Sequence, residues 1–107
     1  MIVNLTPHVV VVLPLSGEGQ GRAIPPSGTA ARVSMSTVPA GTADELEVTR
    51  QVPGAIVGLP DECEGVWLLV SALVRLALPG RPDLLSPGEL VRGPDGQPIG
   101  CRGLVRS

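Results

Sequence analysis

A chain of 107 residues, 43% of them hydrophobic, makes one domain (1–107) with enough apolar side chain to bury a core unaided by metals or disulfides. Its net charge of −2, with every basic residue an Arg, argues against a general binder of duplex nucleic acid, whose affinity rests on neutralising phosphates. The longest apolar run, Val66–Val74, falls well short of the ~20 residues that cross a bilayer, and no basic region precedes Ile2, so neither a membrane span nor a signal peptide is read and a cytoplasmic location is expected.

In chain order, Val9–Leu13 is an unbroken run of β-branched and aliphatic side chains, which predicts a strand either buried on both faces or paired centrally. The glycines of Ser16–Gly21 allow only a turn, and a hairpin into Arg22–Ile24 is expected. After the break at Pro25–Gly28, Thr29–Met35 suits a strand with one exposed face. A loop is expected at Pro39–Thr42, followed by Leu46–Val52, whose period-two alternation predicts a half-buried strand with Glu47, Thr49 and Gln51 on its polar face.

Past the acidic loop Asp61–Gly65, Val66–Val70 reads as a core strand. Ser71 is placed to cap a short helix over Ala72–Leu78, which Pro79-Gly80 stops; one longer helix from Val66 is the alternative that periodicity leaves open. A further helical turn is expected near Asp83–Ser86. Leu90–Arg92 and Ile99–Arg102 flank Asp95-Gly96 as a carboxy-terminal β-hairpin. The expected fold is α+β, mainly an antiparallel sheet with one or two short helices.

Several chemistries lack their sequence requirements. His8 is the single His, no G-x-S-x-G elbow presents a serine, and Cys63 and Cys101 have no CxxC partner, so catalysis and a metal site are not read and no cofactor is expected. The glycines of Gly17–Gly21 do not spell a phosphate loop. The carboxylates Asp44, Glu45, Asp61, Glu62 and Glu64 read as solvated loop charge. In Asn4-Leu5-Thr6-Pro7-His8, Asn4 and Thr6 are expected to satisfy backbone groups around a strand start fixed by Pro7, with His8 packing at the sheet edge.

The arginines of the last quarter, Arg81, Arg92, Arg102 and Arg106, are candidates for phosphate contacts, since a planar guanidinium fork grips two oxygens at once; solvated surface charge is the competing reading. Trp67, the one aromatic residue, is either a stacking surface for a base or core.

Taken as a set, NLTPH, IPPSGTAARV, GLPDECEGVWLLVSALV and GELVRGPDGQPIGCRGL resemble a family of small phage and prophage proteins, identified as the Thoeris anti-defence sponges of the first type, over nearly the whole chain. That resemblance implies a non-enzymatic homo-oligomer that sequesters a cyclic ADP-ribose isomer intact where subunits meet, in some members with a second site for cyclic oligonucleotides. It matches Arg92 and the carboxy-terminal arginines to phosphate contacts and Trp67 to the aromatic that stacks on adenine. The alternative class is a phage structural or assembly protein that works through protein contacts. A small hydrolase built on His8 is the remaining rival.

Overall fold

Short aliphatic runs punctuated by Gly and Pro clusters fold here into eight strands and one helix. The computed structural model describes residues 1–107: β1 (Ile2–Asn4), β2 (Val10–Leu13), β3 (Arg22–Ile24), β4 (Arg32–Ala43), β5 (Leu46–Val57), β6 (Trp67–Leu69), α1 (Ala72–Ala77), β7 (Leu84–Arg92) and β8 (Pro98–Val105). Six strands form one sheet in the order β1-β6-β7-β8-β2-β3, while β4 and β5 form a separate two-stranded ribbon. The architecture is mostly β with a single short helix, and the expected carboxy-terminal hairpin is β7–β8, paired antiparallel.

The six-stranded sheet is mixed rather than mainly antiparallel. β1 runs parallel to β6, β6 to β7 and β2 to β8, with antiparallel pairing only at β2–β3 and β7–β8. The cause is local. Helix α1 carries the chain over one face between β6 and β7, and such a crossover returns the next strand parallel. Ser71 starts the helix as its N-cap, its hydroxyl accepting from the Val74 amide at 3.3 Å.

Leu5, Leu68, Val70, Val74 and Leu84 are buried together with Ala31, so the core sits between the β1-β6-β7 half of the sheet, α1 and the base of the ribbon. Arg75 ties the helix down, donating from Nε to the buried Ser86 hydroxyl at 2.7 Å and from Nη1 to the Ser107 hydroxyl at 3.0 Å. The helical turn expected near Asp83–Ser86 is instead the start of β7: Leu84 lies beside Leu68, and sheet pairing buries both Leu84 and Ser86.

The loop expected at Pro39–Thr42 is also absent. β4 continues through it by a bulge, with Gly41 taking a φ of 92° that a side chain would resist, and the turn falls at Asp44-Glu45. Each ribbon strand thus reaches twelve residues. The ribbon projects from the body: the molecule measures 52 × 39 × 24 Å with a radius of gyration of 16.6 Å, against about 13 Å for a rounded domain of this length. We call this projection the arm.

Candidate functional site

The residues singled out in the sequence fall at separate places. Asn4 is 1% exposed and forms a hub. Its Nδ2 donates to the carbonyls of His8 and Ile24 at 2.9 and 2.8 Å, and its Oδ1 accepts from the Thr6 amide and hydroxyl at 2.9 and 2.6 Å. One side chain therefore joins β1, the turn before β2 and the end of β3. Asn4 and Thr6 do the backbone work expected of them. His8 differs from expectation: its carbonyl takes part, but its residue is exposed and does not pack at the sheet edge.

Trp67 opens β6, beside the start of β7, and is 38% exposed. With Val66, Cys63, Pro82 and Asp83 it walls a cleft of about 240 Å³. Arg81 stands next to this cleft but is already engaged. Its Nε and Nη2 each donate to an Asp83 carboxylate oxygen at 2.9 Å, Nη2 also reaches the Pro60 carbonyl at 3.0 Å, and Glu62 lies 3.6 Å away. The hydrogen bond from Arg81 holds the Asp83 carboxyl below the usual carboxylate range, and the same bond raises the guanidinium. A phosphate arriving here meets two carboxylates and a neutralised arginine, so this corner is built as a part-buried ion pair.

Arg92 and Arg102 belong to the β7–β8 hairpin. Arg92 Nη1 donates to the Gly96 carbonyl at 2.8 Å, and Arg102 Nη1 to the Pro14 carbonyl at 3.1 Å. Each guanidinium is steadied by one bond and keeps its remaining donors. Arg106 lies exposed beyond β8. Since β7 is nine residues long, its ends stand about 30 Å apart. Arg81 and Trp67 are at one end and Arg92 at the other, so the five candidates do not converge within one chain.

The same hairpin walls an open apolar cleft of about 290 Å³ together with β2; Val9, Leu90, Pro98 and Ile99 line it, and Cys101 is buried in its wall. Gly88 keeps β7 and β8 in close register here, since a Cβ at that position collides with the Arg102 carbonyl oxygen. No group of three His, Cys, Asp or Glu side chains is placed to hold a metal ion, and no helix is long and apolar enough to cross a membrane.

The arm is the feature that sequence reading placed wrongly. Leu46–Val52 alternates as a half-buried strand should, yet every residue from Gly41 to Ala55 is exposed. By register, Val38 with Arg50 and Ser36 with Val52 share one face, which alternation extends to Val48 and Leu46; Thr37, Gln51 and Thr49 share the other. The alternation was visible in the sequence. What was hidden was that nothing in this chain covers the apolar face.

Compared with protein-family models, curated proteins and solved structures, the chain matches none.

Proposed function

We propose that this protein is an association module, a small mixed-sheet body whose arm docks on another protein surface. The observation that carries this reading is the arm's uncovered apolar face: Val38, Val48 and Val52 are each more than a third exposed and Leu46 is 70% exposed. A two-stranded ribbon bathed in water on both sides is marginal. One that keeps period-two alternation over this length gains stability when a partner removes the apolar side from water.

A site-specific test uses a photo-crosslinking side chain at Val48 on the apolar face or at Thr49 on the polar face, introduced into the full chain in its native host cell. Association through the arm gives adducts from position 48 and not from position 49. Absence of any adduct from position 48 refutes this function.

A second reading keeps the cyclic nucleotide ligand implied by the family resemblance. It draws support from Arg92 and Arg102, each steadied by one carbonyl and open at its remaining donors, on the hairpin that walls the 290 Å³ cleft. Cleft volume is near the lower bound for small-molecule sites. Because Trp67 lies at the far end of β7, a site using all the candidates would be shared between subunits, which makes this reading depend on assembly as well. Calorimetric titration with cyclic ADP-ribose isomers and a cyclic trinucleotide tests it: binding with the ligand recovered unchanged supports sequestration, and no heat with any of them removes it.

A further inference from the structure

We infer that the partner covering the arm is a second copy of this chain, with the two arms lying antiparallel and apolar face to apolar face. The inference rests on the association reading and adds to it the identity and direction of the occupant.

Three observations carry it. First, the arm's edges are unsuited to growth by strand addition. Pro39 lies within β4 and Pro53 within β5, and each strand is an edge of the two-stranded ribbon, with no further strand beside it. Proline lacks the donor that a ladder needs, and on an edge strand it discourages pairing with another chain. Docking is thereby directed to the faces.

Second, the apolar face is charged in a polar order along its length. Arg32 stands at its base beside Val57, Arg50 lies midway beside Val38, and Asp44 and Glu45 form the tip. None of these four has an ion-pair partner within its own chain, where Arg81 holds the only salt bridges. Laid parallel, two such arms set tip carboxylates against tip carboxylates and arginines against arginines. Laid antiparallel, the acidic tip of each arm comes to Arg32 at the base of the other, while Arg50, midway, stays near the two-fold axis in either arrangement. A surface that complements itself under a two-fold axis fits the isologous contact of a symmetric dimer.

Third, the dimensions suit a modest interface. Twelve residues per strand make each face about 40 Å long and about 10 Å wide before side-chain relief. A pair of such faces buries about 800 Å² in total before that relief is counted, below the standard size, so the dimer is expected to be weak and to form only at high micromolar concentration or above.

The test is sedimentation equilibrium of the full chain under reducing conditions, which keep the exposed Cys63 from crosslinking copies. The expected result is a dimer that is lost in Val48→Glu/Val52→Glu and retained in Thr49→Glu/Gln51→Glu, the opposite-face control. Reversing the tip with Asp44→Arg/Glu45→Arg is expected to weaken it at least about tenfold. Adding Arg32→Glu/Arg50→Glu to that variant is expected to restore it, because each reversed tip again meets an opposite charge.

A monomer throughout the micromolar to millimolar range overturns the inference, as does a dimer indifferent to Val48→Glu/Val52→Glu. A tip reversal that the fourfold variant does not rescue overturns the antiparallel arrangement. The crosslinking described above separates the two levels: an adduct from position 48 with a different protein leaves association standing and removes the second copy, whereas no adduct removes both.

Discussion

The body and the arm of this molecule solve the same problem differently. Around β6 and β7 apolar side chains are covered by the chain's own elements: Leu69, Val70 and Val74 are completely buried and Leu84 nearly so. Along β4 and β5 the backbone is just as regular, yet Val38, Val48 and Val52 stay in water. Regular hydrogen bonding alone therefore does not tell a load-carrying strand from an offered one. The difference is whether a third layer, here α1 and the ribbon base, lies over the face.

Substitutions sharpen the contrast. Leu84→Ala, in the body, is expected to destabilise by about 3 kcal/mol, since a fully packed leucine leaves a cavity behind; a urea melt followed by Trp67 fluorescence reads it. An effect under about 1 kcal/mol would mean that the body is as loosely packed as the arm. Asn4→Ala follows at about 2 kcal/mol, because it leaves the buried Ile24 carbonyl without its donor and frees the turn before β2.

Asp83→Asn is expected to destabilise by about 2 kcal/mol at neutral pH through loss of the charged partner of Arg81. Because the carboxyl is held below its ordinary value in the folded chain, its contribution is complete above the unfolded pKa of about 3.9 and fades as pH falls through the folded value. Wild-type and variant melts should accordingly converge in strong acid, separate as pH rises through the folded value, and keep a constant offset above about 4. A constant offset at all pH values would assign the effect to packing.

At the small end, Val48→Ala in the arm and His8→Asn in the turn are each expected within about 0.5 kcal/mol of wild type when measured in dilute solution. For Val48→Ala the shift should grow with protein concentration if the arm is covered on association. His8→Asn should show no such dependence.

Much of the body was legible in the sequence because its determinants are short-range. Ser71 ahead of Ala72–Ala77, Asp95-Gly96 between two strands and the glycines after Leu15 each fix a cap or turn through neighbours a few residues away. Asn4 was read as a backbone partner for the same reason. Less legible was anything set by a distant segment. Asp83–Ser86 carries no strand pattern of its own and is made a strand by Leu68 beside it. Pro39 and Gly41 resemble a loop, and only pairing with β5 shows that they form a bulge. The candidate arginines share a residue type that marks both phosphate sites and ion pairs; the Asp83 carboxylate, two positions after Arg81, was the available sign that Arg81 belongs to the second kind.

The parallel pairings also impose an order of events. β1 cannot be placed until β6 exists, nor β2 until β8 has been made, because Ile2 pairs with Trp67 and Val12 with Cys101. β4 and β5, by contrast, are neighbours in sequence and can zip as soon as Asp44-Glu45 turns the chain. Contacts between remote segments are slow to form. During synthesis on the ribosome the hairpin should thus stand ready, its valines bare, while the first strands still wait for the last. Rapid expression at high temperature favours aggregation at that stage, and slower synthesis should raise the soluble yield more than stabilising the finished fold would.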